Sequence, residues 1–173
     1  MLNDYEQMLL NDKAALETKI TNFLEQKLNN NHEVDVELDL IAEVIDYSYT
    51  IKDTCTYQVD DPYISGERVF DSLEDYQERD DYDTAEDAGR DGVWWDGDSE
   101  FCGSFSWDDC PEVSVEVLGL TEDASEEAKT LWEQQSKADR RQEELDWKRR
   151  RLERTQKELL ELQAELAAAE ANA

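Results

Sequence analysis

Residues 32–123 hold 29 Asp and Glu against Lys52, Arg68, Arg79 and Arg90, a net charge of −25. Residues 1–31 carry −2 and residues 124–173 carry −2, so an intensely acidic middle lies between two nearly neutral ends. Like charges at this density oppose a compact state. The chain can fold only if enough apolar surface is buried to offset the repulsion. Of its 173 residues 39% are hydrophobic, with five Trp, seven Tyr and four Phe. Aromatic side chains carry large buried area and are depleted from disordered segments, so the composition predicts a folded protein under self-repulsion.

The total of −29 also limits the partners. Nucleic acid and anionic membrane faces repel such a chain, which excludes direct binding to either and points to a basic partner. Met1 to Leu10 lacks the basic start and apolar centre of a signal peptide, and no apolar run approaches a membrane span. Cys55, Cys102 and Cys110 are an odd set, which fits reduced thiols in a cytoplasm. With His32 the only histidine, a zinc site lacks ligands, and no metal or cofactor is expected.

Periodicity divides the chain into three segments, 1–31, 32–122 and 123–173. Leu2, Tyr5, Leu9, Leu16, Ile20, Phe23, Leu24 and Leu28 recur at helical spacing. Asn3 and Glu6 fit a capping box and Asn29–Asn31 a stop, which predicts one amphipathic helix over about 3–29. From His32 to Leu40 apolar and acidic residues alternate, the pattern of a strand with one apolar and one acidic face. Tyr47, Tyr49 and Ile51, then 54–59, then Val113, Val115 and Val117 read as further strands of an antiparallel sheet of three to five. Asp71 and Glu74 are placed to cap a short helix, and Gly89, Gly92, Gly97 and Gly103 break the chain into turns around Trp94, Trp95 and Trp107. No Gly or Pro interrupts Thr121 to Ala173, which predicts a long helix starting near Asp123 and Glu126. In it Leu131, Ala138, Leu145, Leu152, Leu159 and Leu166 stand seven apart, and Leu162 and Ala169 are the only apolar companions. The expected fold is α+β: an N-terminal amphipathic helix, an acidic antiparallel β-rich body and a long C-terminal helix. That last helix packs in a helical hairpin or pairs in a dimeric coiled coil.

Catalytic signatures are absent. There is no Gly-x-Ser-x-Gly elbow, phosphate-binding glycine loop or His-Glu-x-x-His. Residues Asp87–Asp98 match part of a calcium loop, but its third position is Gly and its twelfth is Asp rather than Glu. The acidic face holds the functional content. On a strand Glu33, Asp35, Glu37 and Asp39 form a line of charge. Asp60, Asp61, Asp71, Glu74, Asp75, Glu78, Asp80, Asp81, Asp83, Glu86 and Asp87 extend the surface. A polyanionic surface of this kind resembles phosphates in charge and suits the channel of a DNA- or RNA-binding protein. The expected function is therefore non-catalytic inhibition by nucleic-acid mimicry, of the kind used in phage or mobile-element counter-defence against a nuclease, restriction enzyme or CRISPR effector. The alternative is an acidic coiled-coil adaptor binding a partner protein through its helices. Lys137 to Lys157 is net positive, nine bases to five acids, and could dock part of the body without cancelling its charge.

Overall fold

The computed structural model describes residues 2–29, 31–58, 63–82, 85–95 and 104–171. The chain is mixed helix and antiparallel sheet, in two compact units, Met1–Ala128 and Lys129–Ala173.

In the first unit the Asn3/Glu6 capping box opens a helix as the sequence predicts, but the helix is two: α1, Asp4–Asn11, and α2, Lys13–Leu28. Asp12 divides them. It ends α1 by donating its N–H to Met8 and starts α2 by accepting the Ala15 N–H on Oδ1 at 3.0 Å. The predicted stripe is nonetheless buried, with Leu9, Leu16, Ile20 and Leu24 in the core.

The alternating segment 32–40 is not a strand. His32–Val34 is a 3₁₀ turn and Asp35–Val44 is a helix, α3. Apolar positions 34 and 38 suit both periods, and Ile41 and Val44 decide between them. Val34, Leu38, Ile41 and Val44 fall on one helical face and are buried, whereas Val36 stays 66% exposed. Asp35 and Glu37 lie in the first turn, where the helix dipole favours acids.

Strand β1, Ile45–Gln58, follows directly and organises the sheet. The remaining elements are β2, Tyr63–Phe70; α4, Leu73–Gln77; α5, Ala85–Arg90; β3, Trp94–Trp95; β4, Ser104–Trp107; and β5, Glu112–Leu120. On one edge β1 pairs antiparallel with β2. On the other its first half pairs with β5 and its last four residues with β4. Helix α2 packs against β5 and α3 against β1. Ile45, Ile51, Asp53 and Cys55 of β1 are buried, as alternation requires. The register places Trp95, Gly66, Cys55 and Trp107 in one row across four strands. Tyr82, Ala88 and Val93 complete that cluster, with Phe105 packed against it. Gly66 leaves room for the indole, since a Cβ there would lie 2.6 Å from Trp95 Cε3. A Gly inside a strand often marks such a close approach.

The long helix, α6, Glu126–Ala171, begins in the first unit and forms most of the second. Its entry is fixed by Glu6, a buried carboxylate. Glu6 accepts the Ser125 N–H at 2.6 Å, the Ser125 hydroxyl at 3.1 Å and the Asn3 N–H at 2.9 Å. Burial pushes the Glu6 carboxyl up, and these hydrogen bonds together hold it below its ordinary value.

Candidate acidic interaction surface

All four bases of the acidic middle are engaged within the first unit. Lys52 lies 2.5 Å from Glu67, and this contact raises the lysine's pKa. Arg68 donates to the Tyr82 hydroxyl at 2.6 Å and covers the Phe70 ring. Arg90 pairs with Glu86 at 2.5 Å and Asp87 at 3.2 Å. Arg79 is the most committed of the four. It donates to the Tyr76 carbonyl at 3.0 Å, pairs with Asp109, and stacks its guanidinium 4.1 Å from the Tyr76 ring centroid. Its Nε lies 3.8 Å from the carboxylate of Asp53, which is fully buried.

Asp53 is the core of this arrangement. It accepts the Thr54 N–H at 2.9 Å and the Tyr76 hydroxyl at 3.1 Å. Burial nevertheless keeps its carboxyl above the ordinary value, with the hydrogen bonds and Arg79 working the other way. Burial likewise pushes the Tyr76 hydroxyl up to about 12 and the Cys55 thiol up to about 12, so neither ionises near neutrality. Cys110 is exposed, and Cys102 lies outside the described residues.

This network sets the acidic loops in place. The Trp107 indole donates to the Asp80 carbonyl at 3.1 Å and Thr54 donates to Asp108 at 2.7 Å. Together with the Arg79–Asp109 pair, these bonds lay segment 78–81 beside residues 108–109. Asp71, Glu74, Asp75, Glu78, Asp80 and Asp81 are all exposed, as are Asp108 and Asp109. Asp108 and Asp109 have no signal in the sequence that joins them to this surface, because only strand pairing 50 residues away brings them here. The α4 cap lies one residue beyond the predicted Asp71: Ser72 accepts the Asp75 N–H, at 3.0 Å. Asp75 in turn accepts the Ser72 hydroxyl. An open cleft of about 500 Å³ borders the network, lined by Glu25, Tyr76, Gln77, Arg79 and Asp109 among others.

The predicted line of Glu33, Asp35, Glu37 and Asp39 does not exist. On a helix alternate residues point to nearly opposite sides, so Glu33 and Glu37 share one side and Asp35 and Asp39 another. Two of the four are also internally paired. Asp35 lies 2.9 Å from Lys27 and 3.4 Å from His32, and the lysine leads in lowering its pKa. Glu37 accepts the Tyr5 hydroxyl, whose pKa burial and this carboxylate raise to about 12. Glu33 and Asp39 are exposed. Glu86 and Asp87 belong to the acidic surface but are turned to Arg90. Asp87 sits within α5 rather than opening a calcium loop, and Asp98 falls outside the described residues, as do Asp60, Asp61 and Asp83. Among the described residues no group of three or more His, Cys, Asp or Glu is arranged to hold a metal ion, and no helix is long and apolar enough to cross a membrane.

Through Ala128 the chain has 36 acids and 7 bases, and from Lys129 it has ten of each, so the first unit carries the whole −29. On α6, Leu145, Leu152, Leu159 and Leu162 are 56–63% exposed, Leu131 is 39% exposed, and Ala138 is exposed as well. Leu166 lies further along the same helix. The apolar stripe of α2 packs on β5 and the neighbouring helices of the first unit. Lys137, Lys148 and Lys157 pair with acids four residues away. Arg140, Arg141, Arg151 and Arg154 have no carboxylate partner among the described residues, and Arg151 lies over Trp147 at 5.4 Å. Compared with protein-family models, curated proteins and solved structures, the chain shows no significant match.

Proposed function

We propose that the protein is a non-catalytic inhibitor whose acidic unit occupies the phosphate-binding surface of a DNA- or RNA-binding protein. The observation that carries this reading is the confinement of the net −29 to one compact unit whose four middle-segment bases are each engaged by partners inside that unit. The carboxylates of 71–81 and 108–109 are exposed, and Arg79, paired with Asp109, is the one base within these segments. A basic channel built for phosphates is complementary to such a surface. Long-range attraction of this kind speeds encounter and weakens steeply with salt. Counter-defence against a nuclease, restriction enzyme or CRISPR effector in a bacterial cytoplasm is the setting that suits it.

The test is capture from nuclease-treated bacterial lysate, followed by competition. Mimicry predicts that a nucleic-acid-processing partner is released by duplex DNA or RNA and by salt. It also predicts that Glu78→Lys, Asp80→Lys and Asp81→Lys together abolish capture. A partner indifferent to competitor, salt and that triple change refutes the reading. A second reading, an adaptor that holds its partner through α6, is favoured by the exposed leucines and unpaired arginines of that helix. It predicts that Trp147→Ala with Arg151→Ala and Arg154→Ala destroys capture while the triple reversal leaves it intact.

A further inference from the structure

From Lys129 to Ala171 the chain is one helix with no net charge and a stripe of exposed leucines. We propose that this stripe is covered by a second copy of the chain, and that the two α6 helices run antiparallel. Three features of α6 favour this occupant and this orientation.

The first is self-complementarity. Leu131, Ala138, Leu145, Leu152, Leu159 and Leu166 occupy one heptad position, and Gln134, Arg141, Lys148, Thr155, Leu162 and Ala169 the other. In a parallel pair each position meets its own copy, so Arg141 faces Arg141 and Lys148 faces Lys148 across the seam. In an antiparallel pair the two positions meet each other. With the helices fully overlapped, 131 meets 169, 134 meets 166, 138 meets 162, 141 meets 159, 145 meets 155 and 148 meets 152. Every one of these layers contains a leucine, and none contains two charges. Arg141 and Lys148 can lay their methylene stems over the facing leucine while their heads reach water.

The second feature is the polarity of charge along the rod. Residues 137–157 carry +4 and residues 158–173 carry −4. An antiparallel pair sets the acidic end of each helix beside the start of the other, with Lys137 and Glu165 in facing flank positions. Like charges meet near the centre, Arg149 and Arg151 each against its own copy and Glu144 against Glu158, all on the flanks in water, where screening limits their repulsion.

The third feature is the acidic unit joined to the start of each α6. A parallel pair brings two units of −29 to the same end. An antiparallel overlap of about 40 residues puts the starts of the two helices roughly 60 Å apart. That is well beyond a Debye length of about 8 Å at physiological salt.

The test uses the full chain. Sedimentation equilibrium from about 1 to about 300 µM should show a transition from the 20.1 kDa monomer to a species of twice that mass. Leu145→Glu and Leu152→Glu should each weaken dimerisation at least tenfold, with the tertiary signal of the first unit unchanged. Should those variants lose α6 itself, Arg141→Leu with Lys148→Leu remains decisive, because it should tighten the dimer at least tenfold. A spin label on Ser136→Cys, with Cys55, Cys102 and Cys110 replaced by Ser, reports orientation. Full antiparallel overlap sets Ser136 opposite residue 164 of the other copy, about 42 Å from its own copy at ~1.5 Å per residue. A monomer throughout overturns the proposal. A label separation under about 25 Å overturns the orientation, and a dimer indifferent to all four seam substitutions overturns the seam.

Discussion

Replacing Arg79 with methionine should destabilise the first unit by about 3–5 kcal/mol, the usual cost of removing one partner from a buried ion pair. The size follows from where Asp53 sits. Its carboxylate is fully buried, its hydrogen bonds come from Thr54 and Tyr76, and the Arg79 guanidinium is the cation 3.8 Å away. Methionine keeps most of the arginine's apolar bulk over Tyr76 and removes the charge. Urea is the appropriate denaturant, because guanidinium is itself a salt and would screen the remaining acids. With a slope of about 1–3 kcal/mol per molar, the midpoint should fall by roughly 1–5 M. The loss should also depend on pH. Burial already holds the Asp53 carboxyl above its unfolded value, and removing Arg79 raises it further. A carboxyl with a raised folded value opposes folding at high pH, and that penalty fades as pH falls through the folded value. The deficit of Arg79→Met should therefore be largest above neutrality and shrink on acidification toward the unfolded carboxyl range, about 3.9. Adding Asp53→Asn to Arg79→Met should recover at least about 1 kcal/mol in a double-mutant cycle. A midpoint shift below about 0.3 M, or a deficit with no pH dependence, would refute the account of Asp53 as a charge held by Arg79.

Other substitutions probe the rest of the frame. Glu6→Gln should cost about 1–3 kcal/mol by urea melt, since the carboxylate's charge strengthens three hydrogen bonds at the entry to α6. Because the folded Glu6 value is lowered, its contribution is present above the ordinary carboxylate range and lost as pH falls through the folded value, so mutant and wild type should converge in acid. Gly66→Ala should cost about 1–3 kcal/mol and shift the tryptophan emission, because its methyl would press on the Trp95 ring. Raising salt from about 0.01 M to about 0.5 M should increase the thermal midpoint, as screening relieves repulsion within the acidic unit, and a midpoint that falls would contradict that picture.

Several features of the protein are legible from sequence by local rules. The Asn3/Glu6 capping box, the buried Leu9–Leu16–Ile20–Leu24 stripe, the paired strand at Val113–Val117 and the uninterrupted α6 need only spacing and composition. The confinement of charge is likewise a property of the linear chain. Segment 32–44 shows where local rules stop. Alternation of apolar and acidic residues suits a strand, and four apolar positions at steps of four, three and three suit a helix. Packing against β1 and the neighbouring helices selected the second, and the predicted row of carboxylates disappeared with the strand. Strand β2 was hidden for a related reason. Its Ser65, Gly66, Glu67 and Arg68 look like a loop until Gly66 is seen making room for Trp95. Tertiary structure also decided which charges face water. Asp53 and Glu6 look in the sequence like any other acid, yet the fold buries both, because hydrogen-bond donors from residues up to 119 positions away meet them there. The sequence determined that this chain carries a surplus of negative charge, and tertiary structure determined which acids are buried and which partners inside the first unit hold the four cations of the acidic middle.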